Sequence, residues 1–445
     1  MAEVAHTERL SPLDLLMPSI YIRAVLVFNP ATAIPATEIQ KTLQQGLGRL
    51  SKQVPWLPGR LYATTSTENA RALEIRTTEN DTPTLVDKGS VSASYKDLAS
   101  RGMLPEEVPD EIWPVPSMTD DASLASGAPV FAASLFRFAD EGLGLCLCIH
   151  HAAVDATGFS EVVRLWVQNL ADATFTLSLS AHSTDTLLAR HPEYSRIPPS
   201  LPTEFPASTS RLFRIPIHWI NVLKELLGKR SSPPTTNTIL CALIWTSITR
   251  VRLLRTPSRS DETRNLVTAV NGRPRLNTST TNTFSTAETP YLGNAVLYSL
   301  TKNTFQALAT ADTDPISSLR EICTAIATSQ SPTKINSQHI AEVHHLVESR
   351  PDPRGIFVGW DLFGSKDLTI TSWADADVYG TDFGRALGAP VFVRFPYMEA
   401  DGVAIVLPRK SRGTDGEVLE VVVVLRRDDM DALEGMRCFG PAVQV

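Results

Sequence analysis

Cysteine is scarce, with five residues in a chain of 445. An odd and small number in so long a chain excludes a disulfide framework. Cys146 and Cys148 alternate along an apolar run and read as small buried hydrophobes. Long hydrophobic runs are also missing: the nearest, NTILCALIW at 237–245, falls well short of the ~20 apolar residues that cross a bilayer. The opening residues, MAEVAHTERL, have neither a basic n-region nor an apolar h-region, so no secretory signal is expected. Positive charge is not in excess. A net charge of −7 and a pI near 5.8 argue against a nucleic-acid surface. No Lys/Arg block is present to attract anionic lipid. These absences predict a cytoplasmic, reduced protein with neither nucleic acid nor membrane as partner.

Several catalytic signatures are absent too. There is no G-x-S-x-G elbow, no G-x-x-x-x-G-K-[ST] loop and no Rossmann glycine pattern, and no cysteine sits in a polar setting.

What is present is ordinary globular composition, 43% hydrophobic and 20% charged, at a length that calls for two domains. Ile39, Leu43, Leu47 and Leu50 recur at helical spacing. PVFAASLFRF (129–138) and LGLCLCIHH (143–151) flank ADEG as a hairpin, and the second run is apolar enough for a strand buried on both faces. Phe159, Val162, Val163, Trp166 and Leu170 mark the next helix. HPEYSRIPPSLPTEFPAS (191–208), with five prolines, forbids a regular element and suits an extended linker. Beyond it, helices are predicted near 217–228, over 238–254, 316–327 and 337–347. Strands are predicted at 265–276 and 291–300, then in IFVGWDL, DLTITSW, APVFVRF, GVAIVLPRK and EVLEVVVVLRR, before a short terminal helix.

The richest stretch is CIHHAAVDATGF (148–159), where a buried strand ends in two histidines. Three readings compete. His151 and Asp155 at i and i+4 could share a metal ion, but no third ligand or H-E-x-x-H pattern accompanies them. Two polar groups could simply be satisfied by local hydrogen bonds. Third, an imidazole, with an ordinary pKa near ~6.5, could act as a general base. Activating an alcohol or amine needs only that base if the electrophile is already a reactive ester or thioester.

With H-H-x-x-x-D in place, the chain resembles the BAHD acyltransferases. The likeness is strongest to their fungal secondary-metabolite, trichothecene acetyltransferase-like branch, within the wider group of chloramphenicol acetyltransferase and peptide-synthetase condensation domains. HHAAVDATG carries the His-x-x-x-Asp motif, with Ala156 where glycine is common. SPLDLLMPSIYIRAVLVF, LGRLSKQVPWLPGRL, NTILCALIWTSITRVR, AVNGRPRL, YLGN and SWADADVYGTDFG follow in the family's order.

The resemblance implies an α/β (α+β) fold of mixed sheets, in two chloramphenicol-acetyltransferase-like domains, 1–190 and 209–445. A crossover at 191–208 would join them, with an active-site tunnel between. It implies an acyl-CoA-dependent O-acyltransferase that moves an acyl group, acetyl first, to a hydroxyl of a hydrophobic secondary metabolite. His151 would be the base, and transfer would be direct, without metal, in a monomer. Asp155 would support the site by pairing with an arginine, Arg275 being preferred over Arg273. Arg273, Arg275, Gly293 and Asn294 are placed near the CoA mouth, and His150, Tyr21 and Gly158 on the substrate side. Asp382, Phe383 and Gly384 stand for the structural D-F-G-W-G motif, which here reads DFGRALG, with Arg385 for Trp and Ala386 for Gly. That departure leaves open a diverted enzyme, which would use His151 for a CoA-independent proton transfer such as cyclisation or isomerisation.

Overall fold

The computed structural model describes residues 6–29, 34–64, 72–79, 81–140, 142–174, 194–195, 206–228, 233–255, 261–276, 290–309, 314–350, 352, 356–358, 361, 365–414 and 416–436. Of the crossover at 191–208, only Tyr194–Ser195 and residues 206–208 lie within that range.

The first large sheet has five strands, in the order Phe392–Arg394, Tyr21–Phe28, Leu143–His150, Phe131–Arg137 and Leu85–Ser90. The strand ending in His150 is central, and every residue in it is buried. The period of two explains why both faces need apolar residues. Leu143, Leu145, Leu147 and Ile149 point into one core, while Cys146 and Cys148 point into another with Tyr21, Val25 and Val27. The edge strand Phe392–Arg394 comes from the far end of the chain and pairs antiparallel with Val25–Val27.

The second sheet has six strands, in the order Ser208–Pro216, Val418–Arg426, Val403–Val406, Leu368–Ser372, Thr263–Asn271 and Val296–Thr304. In VLEVVVVLR, Leu419, Val421, Val423 and Leu425 face the helices of the C-terminal half. Val422 and Val424 join the core built by the N-terminal half. One strand thus serves both cores, and burial of its two faces ties the halves together. Arg394, 1% exposed, adds a polar tie. It donates to Glu420 (2.9 and 3.0 Å) and to the carbonyls of Gly102 and Met103 (both 2.8 Å).

Most expected elements are present with small shifts at their ends. The helix at 36–50 runs Ala36–Gln53, and those at 238–254 and 337–347 run Thr236–Arg255 and Ser337–Glu348. Two strands differ. The one expected over 265–276 stops at Asn271, and Arg273–Leu276 is a single helical turn. The one expected over 291–300 begins only at Val296. In both cases polar side chains at the strand end bond across the halves instead of extending the ladder.

Candidate active site

Both deviations converge on His151. The central strand ends at His150, and the His151 N–H donates to the Ile20 carbonyl (2.8 Å) as the chain turns. The ring Nδ1 lies 3.1 Å from the Val154 carbonyl. A carbonyl only accepts, so Nδ1 carries the proton and Nε2 keeps its lone pair. His151 is half-buried, and loss of hydration pushes its pKa below the usual 6.5. The nearby Asp155 charge and the Val154 carbonyl oppose that shift in part.

Asp155 caps the helix Ala156–Ala171, with Oδ1 accepting from the Gly158 N–H (2.9 Å). Its Oδ2 accepts from Arg273 Nη1 (2.8 Å) and from the Ala295 N–H (2.9 Å). The expected partner, Arg275, is elsewhere: it donates to the carbonyls of Gln330, Ser331 and Ile335 (2.7, 3.2 and 2.8 Å). The difference is one of direction. Gly272 and Arg273 leave the strand at the site, and by Arg275 the helical turn has carried the side chain to the loop after residue 329. Arg273 also donates to the carbonyls of Tyr291 (3.0 Å) and Gly293 (2.6 Å). It is a buried structural cation with its donors committed inside the protein, and Arg275, Gly293 and Asn294 likewise bond within the protein.

Asn294 completes the frame. Its Nδ2 donates to the His151 carbonyl and to Asp14 Oδ1 (both 2.9 Å), and its N–H donates to the same Asp14 oxygen (3.0 Å). Asp14 Oδ2 accepts from the Ser11 N–H (2.8 Å) and hydroxyl (2.7 Å). Burial raises the Asp14 pKa, against the pull of these donors. Sequence reasoning missed Asp14 and Ser11, although SPLD is a capping-box pattern that could have flagged them.

The three residues expected on the substrate side are interior. His150 is fully buried, with Nδ1 accepting from the Ala152 N–H (3.1 Å), so its Nε2 carries the proton toward the Thr119 hydroxyl (3.0 Å). Desolvation first, then neighbouring His151, lowers its pKa to about 4. Tyr21 donates to the Pro129 carbonyl (2.7 Å) and meets the His150 ring edge-on at 5.2 Å. A Cβ on Gly158 would overlap the Leu292 carbonyl oxygen, so its bareness permits contact between the halves.

Beside this frame opens a cleft of about 470 Å³, between the first turns of helix Ala156–Ala171 and the segment 372–382. Its lining includes Ala156, Thr157, Ser160, Asn271, Trp373 and Asp382. Phe383, next in the chain, is buried against Phe28 and Trp166 (ring centroids 5.4 and 6.0 Å). Arg385 is exposed at the tip of the turn that follows. Among the described residues there is no cluster of three metal-ligating side chains, and no helix is long and apolar enough to cross a membrane.

A model of the Transferase family matches residues 4–437. The chain belongs to the Transferase family. It is 28% identical to the trichothecene 8-O-acetyltransferase of Fusarium sporotrichioides, over 96% of each chain. It is 27% identical to the O-acetyltransferase ptmV of Penicillium ochrochloron, over 95% of this chain and 94% of that one. Its fold is that of F. graminearum TRI101, solved with coenzyme A and T-2 mycotoxin: TM-score 0.83, 21% identity, 98% of this chain and 99% of that one. Vinorine synthase shares the fold more loosely, at TM-score 0.63 and 14% identity, over 97% and 96% of the two chains. The mixed-sheet architecture and the acyl-CoA-dependent O-acyltransferase class expected from the sequence agree with these relatives.

Proposed function

We propose that this Transferase-family enzyme transfers acetyl from acetyl-CoA to a hydroxyl of a hydrophobic secondary metabolite, with His151 as general base. One observation carries the reading: His151 Nδ1 is held by the Val154 carbonyl, which leaves the Nε2 lone pair for a proton. Nε2 takes the hydroxyl proton as the oxygen attacks the thioester carbonyl. The tetrahedral intermediate then collapses, the C–S bond breaks, and the imidazolium returns the proton to the departing CoA thiolate. A depressed His151 pKa keeps the base neutral and ready at physiological pH.

Direct transfer suits the thiols as well. Burial pushes Cys148, Cys241 and Cys323 up to about 12 and Cys146 well above its ordinary value. Among the described residues no thiolate is therefore at hand for an acyl-enzyme. Asp155 and Arg273 act in this reading as supports that hold the turn bearing His151. A hydroxylated apolar acceptor is favoured by the trichothecene acetyltransferase among the relatives. The enzyme works as a cytoplasmic monomer in this reading.

The test is mass-spectrometric turnover of hydroxylated terpenoid acceptors with acetyl-CoA, comparing wild type with His151→Ala. The variant should lose about 10²–10⁴-fold in rate, as expected on removing a general base. Equal product from both proteins would refute the assignment of the base.

A further inference from the structure

His151 is tied by its backbone as well as by its ring, and both backbone ties lead to one short segment near the start of the chain. Its N–H donates to the Ile20 carbonyl (2.8 Å). Its carbonyl accepts from Asn294 Nδ2 (2.9 Å), and that same nitrogen donates to Asp14 Oδ1 (2.9 Å). Asn294 is fully buried, and its Oδ1 accepts no hydrogen bond among the described residues. The two acceptors on Nδ2 are therefore what orient the amide, and one of them is Asp14.

Asp14 is itself firmly held. Each of its oxygens accepts twice: Oδ1 from the Asn294 N–H (3.0 Å) and Nδ2, and Oδ2 from the Ser11 N–H (2.8 Å) and hydroxyl (2.7 Å). Those four donors fill the acceptor capacity of an ionised carboxylate, and bonds to a charged acceptor are the strong ones. The helical turn that carries Asp14, Pro12–Leu15, is built into the C-terminal half, where Leu13 packs with Leu297, Ile335, Ile340 and Val343. Residues 11–20 thus run from a seat in the C-terminal half to the strand end that bears His151. The ring Nδ1 is held by the Val154 carbonyl within the same turn (3.1 Å), so the ring moves as the turn moves. Asp155, with Arg273, grips the end of that turn; Asp14, through Asn294, grips its start.

We propose that Asp14 is a positioning residue for the transfer reaction, fixing through Asn294 where Nε2 of His151 stands without touching either substrate. The proposal rests on the reading of His151 as the base. It makes the turn at Pro12–Leu15 part of the active site, although 137 positions separate Asp14 from the histidine it places.

Steady-state kinetics of wild type, D14N, S11A, H151A and the D14N/H151A double variant test it, each below its melting temperature and with product counted by mass spectrometry. D14N keeps the size of the side chain but turns one acceptor into a donor that faces donors. It should lower kcat on the order of tenfold to a hundredfold, the scale of a displacement of about 1 Å, while KM for acetyl-CoA changes little. S11A, which removes one of the four donors, should lower kcat by less than about tenfold. In the H151A background D14N should cost nothing further, because no base is left to misplace. Unchanged kcat in D14N overturns the proposal and leaves the base reading standing. Equal losses in the two backgrounds also overturn it, because Asp14 would then serve the fold at large. Where D14N does not fold, S11A and S11A/H151A decide by the same comparison. Should H151A turn over as fast as wild type, the base reading fails first and the proposal falls with it.

Discussion

Replacing Arg273 by methionine keeps the length of the side chain and removes its charge and donors. Asp155, 1% exposed, would then be left as a buried carboxylate facing only the N–H groups of Gly158 and Ala295. Breaking a buried ion pair from one side costs about 3–5 kcal/mol. The carbonyls of Tyr291 and Gly293 would lose their donor as well. That segment carries Asn294, which holds the His151 carbonyl, so the loss should reach the base. A misplacement on the order of 1 Å can cost about 10²-fold in rate, and kcat should fall far more than KM for acetyl-CoA changes. The assay is a urea melt of wild type, R273M, D155N and the double variant, with steady-state kinetics on each. The double variant should be more stable than the two single losses added together, by roughly 1–3 kcal/mol, the usual coupling between contacting groups. R275M, which removes donors to three carbonyls but no charge partner, should cost less than R273M. Strict additivity of R273M and D155N, or a larger loss in R275M, would falsify the assignment of the pair.

Other outcomes are as specific. The acid limb of kcat/KM should have its midpoint below 6.5, because burial depresses the His151 pKa and the base works when neutral; a midpoint above 6.5 contradicts the desolvated site. His150 is neutral in the folded protein with a pKa of about 4, against 6.5 when unfolded. The unfolded chain therefore binds the extra proton, and stability should drain away as pH falls from 6.5 toward 4, by roughly 3 kcal/mol in all. His150→Gln should flatten that slope in pH-resolved melts. Gly158→Ala sets a methyl group against the Leu292 backbone carbonyl. It should lower stability by about 1–3 kcal/mol, as overpacking does, and a wild-type melting temperature would show that the halves separate more easily than their packing implies.

How much of this was legible beforehand depends on how local each cause is. Alternation in LGLCLCIHH was enough for a central buried strand, because side-chain direction in a strand has period two whatever surrounds it. The spacing of His151 and Asp155 around a turn was enough to single out the candidate site, and the order of motifs along the chain was enough for the family. Helix bodies were readable for the same reason, their apolar stripes being set by a local period.

What the sequence could not decide was which groups meet across long separations. Arg273 and Arg275 are equal in type and two residues apart. Only the turn after Asn271, aimed by contact with the other half, sends one to Asp155 and the other to the carbonyls of 330–335. Asp14 and Asn294 lie 280 positions apart and bond at 2.9 Å; no periodicity encodes that. His150 and His151 differ by one step of a strand, and that step buries the first and half-exposes the second. Composition and local pattern determined the elements, the family and the candidate histidine. Partner choice, protonation state and which polar groups face the cleft were decided by tertiary packing, because each depends on what the fold removes from water.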